Sequence, residues 1–166
     1  MKCVAGHQPN LYPYGGFFAK AYAVDVFVIV DNTQYVKKEY HNRNRMKLLN
    51  GDIIWLTIPV KNSGRYMQKI NEVEIDKSSG WRKTHLKTLF LNYKKARFFD
   101  QYFPQIETLF SREWHLLADF NIAFIKLTFE SLGIKKEPLI ASEEEMHGKA
   151  TELIVDICRK TASDTY

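Results

Sequence analysis

The sequence predicts an α/β fold: a mainly parallel sheet flanked by helices, with an inserted β-hairpin region over about residues 42–76. Three observations carry this. KCVAG (2–6) and VFVIV (26–30) read as short buried strands on either side of a helical stretch, FFAKAYAV (17–24). A strand–helix–strand opening is the pattern of a parallel sheet. Asn50-Gly51 stands between RMKLL and DIIWLTIPV, and that dipeptide between apolar runs is a strong hairpin signal. Further on, apolar residues recur at helical spacing over long stretches.

In chain order, KCVAG ends at His7, and Gly15-Gly16 precedes the first helix. VFVIV is continuously apolar, as a strand covered on both faces is. Residues 45–58 form the expected hairpin, closed by Pro59. KNSGRYMQK (61–69) is polar and loop-like, and INEVEID (70–76) alternates as a half-exposed strand does. Ser78-Ser79 offer a cap for a helix over 80–97, with Trp81, His85, Leu89 and Tyr93 on it. Pro104 is expected to open another helical turn at its tolerated first position. A long helix over 112–132 carries Leu116, Leu117, Phe120, Phe124, Leu127 and Leu132 on its stripe, and Gly133 ends it. PLIAS (138–142) reads as a strand, and 149–161 as a helix with Leu153, Ile154 and Ile157 inward.

The chain has 166 residues, the length of one domain, so 1–166 is read as a single α/β unit. It stops soon after its last helix, where this fold calls for another strand. A C-terminal portion is therefore expected to be lacking. The formal charge of +5 favours anionic partners if the charges cluster. Cys3 and Cys158 form no C-x-x-C, which suits a reducing compartment. The N-terminus has no apolar signal region, and no run reaches the roughly 18 apolar residues of a membrane span. A soluble, cytoplasmic protein is expected.

Chemistry concentrates at the carboxyl ends of the first two strands. His7-Gln8-Pro9-Asn10 follows the first, with Pro13 and two glycines before the helix. Ligands of open α/β sheets bind outside strand carboxyl ends. The prolines stiffen the loop, and His7 titrates near neutrality, as a general base or phosphate ligand does. The plainer alternative is a half-buried, satisfied histidine. Asp31-Asn32-Thr33-Gln34 follows the second strand, so Asp31 can face the same crevice and orient His7, hold a metal or bind a ribose hydroxyl. Asp-Asn is also ordinary turn chemistry.

Basic and aromatic residues interleave from Lys37 to Lys47. Arg43 and Arg45 share strand parity, which aims both guanidiniums to one face as forks for a diphosphate or carboxylate. A solvated basic edge is the alternative. Trp81 and His85 share a helix face, either as core or as pocket. No metal-ligand spacing links the five histidines, and no Walker A, G-x-G-x-x-G or G-x-S-x-G motif is present. No motif names a cofactor or an oligomeric state.

HQPNLYPYGGFF, VFVIVDNTQYVKKEYHNRNRMK, WLTIPV, GWRKTHLKTLFLNY and LADFNIAFIKLTFESLGI together resemble the WbqC-like protein family, over about residues 7–142. The resemblance implies bacterial polysaccharide or O-antigen biosynthesis, with glycine transfer to a sugar suggested for some members. It also implies a Gly-rich segment beyond the end of this chain. By motif it singles out His7, Gln8, Pro9, Asn10 and Pro13, then Asp31 and Gln34, then Asn42, Arg43, Asn44 and Arg45, and finally Trp81, His85 and Tyr93.

The function expected is therefore an acyl or aminoacyl transferase. His7 serves as base with Asp31 as its catalytic partner. Gln8, Asn10, Gln34, Asn42, Arg43, Asn44, Arg45, Trp81, His85 and Tyr93 bind an anionic small molecule such as a nucleotide-sugar. Two alternatives stand beside it: a nucleotidyltransferase-like enzyme, by loose analogy with H-x-G-H proteins, and a non-enzymatic RNA-binding module using residues 37–47. The first reading requires that His7, Asp31 and both guanidiniums open onto a common cavity.

Overall fold

The computed structural model describes residues 1–166. Val4–His7 forms β1 and Val26–Ile29 forms β2, paired in parallel with His7 opposite Ile29. β5 (Leu139–Ile140) joins β2 on its other side, also in parallel. β2 is thus central, which accounts for its continuous apolar run.

Alternation along β2 divides the core. Phe27 and Ile29 face α1 (Gly15–Ala23) and α4 (Leu117–Ser131), in a cluster with Phe17, Ala21, Ile125 and Phe129. Val28 and Val30 face the opposite way, towards Leu153 and Ile157 of α5 (Thr151–Lys160). Ile154 turns outward, contrary to the sequence expectation: it is 36% exposed. Helical spacing places Leu153 and Ile157, four apart, on one stripe, and Ile154 falls at its margin.

The backbone near Thr165 runs beside β1, parallel to it, on the side away from β2: Cys3 bridges Thr165, and Val4 N–H donates to Thr165 O at 2.8 Å. The order β1-β2-β5 steps one way across the sheet, and the return through α5 arrives at the other side of β1. The order therefore reverses at β1. Crevices at such reversals, outside the carboxyl ends, are where α/β sheets bind ligands. His7 is the residue at that end.

A hairpin stands apart from this sheet. β3 (Arg43–Lys47) and β4 (Ile53–Thr57) pair antiparallel, with Arg45 opposite Trp55. Asn50-Gly51 lies in its loop, as expected, but the loop is wider than a two-residue turn. Leu48 N–H donates to Asp52 O at 2.8 Å, and Gly51 takes φ +92°.

A second core joins the hairpin to α2 (Trp81–Tyr93), α3 (Phe99–Ser111) and α4 through Ile58, Ile70, Val73, Trp81, Phe110 and Phe120. Here three expectations are corrected. The strand expected at 70–76 is a 3-10 turn, Ile70–Glu72, followed by single bridges from Glu74 to Leu116 and from Ile75 to Val60. Ile70 and Val73 are three apart and eclipse in a 3-10 turn, so both enter the core without a strand. Pro104 does not open a helix but lies inside α3. Its ring leaves one carbonyl of the preceding turn without an N–H partner. Phe99, which stacks on Phe103 at 4.4 Å between centroids, helps carry the helix back beyond it. The long helix begins at Leu117 rather than at 112, because the segment before it is extended and bridged to Glu74. Leu132 is exposed, and Gly133, at φ +69°, ends the helix as expected. No helix is long and apolar enough to cross a membrane.

Candidate active site

His7 ends β1 with its imidazole half-buried against the edge of Phe17, at 4.9 Å between centroids. Its Nδ1 lies 3.0 Å from the Gln8 carbonyl. A carbonyl only accepts, so Nδ1 carries the proton and Nε2 keeps its lone pair. Burial, aided by the charge of Lys20, holds the pKa below its ordinary value despite that hydrogen bond. A neutral ring with a free Nε2 is a competent proton acceptor at neutral pH.

The loop after His7 is built to hold this ring. The Gln8 carbonyl also accepts the Asn10 N–H at 2.9 Å, closing a tight turn over Pro9. The Pro9 carbonyl accepts from Asn121 Nδ2 at 2.7 Å, and the same amide donates to the His41 carbonyl at 2.8 Å. Asn121, only 1% exposed on α4, therefore ties the loop to the segment entering β3. The sequence reading missed it. Its signal was a lone amide among Leu117, Phe120 and Phe124.

Asn44 makes a second tie. Its Nδ2 donates to the carbonyls of Leu11 and Tyr12 at 2.9 and 2.8 Å. Tyr12 has φ +47°, a conformation that side chains resist, and Asn44 helps fix it.

Between the loop and β3 lies a cleft of about 320 Å³. His7 and Asn10 line it from the loop, Pro13 and Tyr14 from the approach to α1, and Tyr40, Asn44 and Arg45 from the hairpin side. Arg45 makes no ion pair and lies 6.0 Å from the Trp55 ring. Arg43 shares that face of the hairpin but stacks closer on Trp55, at 4.2 Å, and donates to the Lys38 carbonyl. It does not line the cleft.

Gln8 and Asn42 support the cleft from behind. Gln8 Oε1 accepts from His41 Nε2 at 3.0 Å, and its Nε2 donates to Thr33 Oγ1 at 2.9 Å. His41 Nδ1 accepts the Val36 N–H, and burial lowers the pKa of this histidine too. Asn42 accepts from Tyr35 Oη at 3.0 Å and donates to the Ile58 carbonyl at 2.9 Å.

The other candidates lie elsewhere. Asp31, 3% exposed, does not orient His7: its carboxylate accepts the N–H and hydroxyl of Ser142, at 2.9 and 2.5 Å. Gln34 lines a separate cleft of about 710 Å³ with Lys69 and Lys149. Trp81 packs between Phe110 and Phe120. His85 accepts from Tyr12 Oη through Nδ1 at 2.8 Å and donates through Nε2 to the Thr57 carbonyl at 3.2 Å. Tyr93 borders an apolar groove between α2 and α3. No three His, Cys, Asp or Glu side chains gather in a metal-binding arrangement.

Comparison with known proteins adds a family. The WbqC-like protein family matches residues 8–166, a span that starts one residue after His7. The uncharacterized protein Rv1507c of Mycobacterium tuberculosis is 34% identical over 167 residues, covering 100% of this chain and 71% of that protein. No solved structure matches.

Proposed function

The chain belongs to the WbqC-like protein family, and on that premise we propose that it is a transferase of bacterial polysaccharide assembly that moves an acyl group, such as glycyl, onto an amino sugar carried by a phosphate-containing group. The observation behind this is a neutral imidazole with a free Nε2 and an unpaired guanidinium lining one cleft; Asp31 and Arg43, expected to share it, do not, so the reading rests on His7 and Arg45 alone. The cleft's volume is at the lower end of the small-ligand range. Arg45 takes the phosphate oxygens as a fork. Tyr14 and Tyr40 offer ring faces to the sugar or a base. His7 Nε2 accepts the proton of the attacking amine as its nitrogen bonds to the acyl carbon. The bond from that carbon to its leaving group breaks with its electron pair, and His7 returns the proton to that group. Asn10, on the same cleft, donates to the oxyanion formed in between.

Calorimetric titration with a uridine diphosphate amino sugar tests the binding half of this reading. Binding is expected, weakened roughly 10- to 100-fold in Arg45→Ala, as loss of a charge-assisted hydrogen bond implies. Equal binding by both proteins, or none by the wild type, contradicts it.

A further inference from the structure

Charge is unevenly distributed along the chain. Residues 77–99 hold seven Lys and Arg and no Asp or Glu. This stretch forms α2 and the turn into α3, and apolar side chains stand out from the same place. Phe98 is 54% exposed, and Phe90, Leu91 and Tyr93 are exposed beside it. Behind them a groove of about 330 Å³ runs between α2 and α3, floored by Phe103 and Ile106.

The hairpin loop extends this surface. Leu49 N–H donates to Asn92 Oδ1 at 2.9 Å, which fixes the loop against the end of α2. Leu49 and Ile53 are 71% and 62% exposed there. Lys94 Nζ sits 5.6 Å over the Phe90 ring, and Arg97 5.1 Å over Phe98. These charged heads lie over aromatic rings while both residues stay exposed. Lys94, Lys95 and Arg97 make no ion pair. The acids flanking the basic stretch are Asp76, which accepts the Ser78 N–H, and Asp100 in the first turn of α3; Asp52, in the hairpin loop, accepts from Asn50.

We propose that this end of the molecule docks on an anionic lipid bilayer. Phe98, Leu91, Leu49 and Ile53 enter the headgroup layer, and Lys94, Lys95 and Arg97 meet lipid phosphates. Rings at headgroup depth beside basic residues are the pattern of interfacial binding. Nucleic acid fits less well: Phe90, Tyr93 and Phe98 have ring faces for stacking, but Leu49, Ile53 and Leu91 among them offer none and would stay in water. A second copy fits less well too, because a two-fold contact through this face opposes like charges. The residues involved are separate from those of the cleft, so this inference stands apart from the transferase reading.

Co-sedimentation of the full chain with phosphatidylcholine vesicles, with and without phosphatidylglycerol, tests it. Binding is expected only with phosphatidylglycerol and should fall as salt rises. The triple variant Lys94→Glu, Lys95→Glu, Arg97→Glu should lose about 100-fold or more in partitioning, at roughly fivefold per charge. Leu49→Ser with Phe98→Ser should lose about tenfold with an unchanged circular-dichroism melt. Equal partitioning to both vesicle types, or none, overturns the proposal. So does an apolar double variant that binds like wild type. Binding to an oligonucleotide that the charge variant abolishes and the apolar variant retains overturns it in favour of nucleic acid. A dimer in sedimentation velocity that Phe98→Ser dissolves overturns it in favour of a second copy.

Discussion

Tyr12 donates its hydroxyl proton to Nδ1 of His85 across 2.8 Å, and the opposite ring nitrogen donates to the Thr57 carbonyl. The pair joins the loop after β1 to α2 and β4. It also fixes the imidazole as neutral, and burial lowers its pKa to about 4. Protonation would turn the Nδ1 acceptor into a donor facing the Tyr12 hydroxyl.

Stability should therefore fall in acid. The folded pKa of His85 lies below the ordinary 6.5, so the unfolded chain binds more protons between those values. Stability is retained above pH 6.5 and lost as pH drops towards 4. Guanidinium unfolding at pH 7.5 and pH 5 should show the wild type losing about 2 kcal/mol more than His85→Phe. Equal losses in the two proteins would show that His85 is not held neutral.

Asn121→Leu keeps the branched shape, with a bulkier end, but strips two carbonyls, of Pro9 and His41, of their shared donor. A cost of about 2–3 kcal/mol is expected in urea unfolding, with weaker nucleotide-sugar binding because the His7 loop loses its anchor. An unchanged midpoint would mean that the tie is dispensable.

Asp31→Ala should behave as a stability variant. It leaves the Ser142 N–H and hydroxyl without their acceptor, at about 1–3 kcal/mol. Turnover by the remaining folded protein should stay within a few-fold of wild type. A 100-fold loss of kcat at unchanged stability would instead make Asp31 catalytic.

His7→Ala should lower kcat by about 10²- to 10⁴-fold and leave substrate binding nearly intact. The acid limb of kcat/KM in the wild type should lie below pH 6.5, since burial lowers the pKa of His7. A limb above that value would assign the base elsewhere.

The parallel pair was legible because buried strands leave continuous apolar runs, and the hairpin because Asn50-Gly51 marks its loop. Residues 70–76 misled because Val73 and Ile75 alternate as in a strand, while Ile70 and Val73, three apart, suit a 3-10 turn. Pro104 misled because packing of Phe99 and Phe103, invisible to local rules, carries the helix back past it. At the site, strand-end position pointed to His7 and Asn10, and strand parity pointed to Arg45. Parity did not separate Arg45 from Arg43, which Trp55 and the Lys38 carbonyl engage. The fate of Asp31 rests on Ser142, 111 residues away, and that of Asn121 on two distant carbonyls. Local sequence flags Asn121 as a lone amide on an apolar helix but names the partners of neither residue.

In the proposed reaction His7 and Arg45 serve one ligand. The imidazole ¹⁵N resonance of His7, followed by NMR as a uridine diphosphate amino sugar is added, reports on both at once. A saturable shift of Nε2 in the wild type, lost at the same concentrations in Arg45→Ala, is expected. A resonance that stays still, or that moves equally in both proteins, would show that the two residues do not share a ligand.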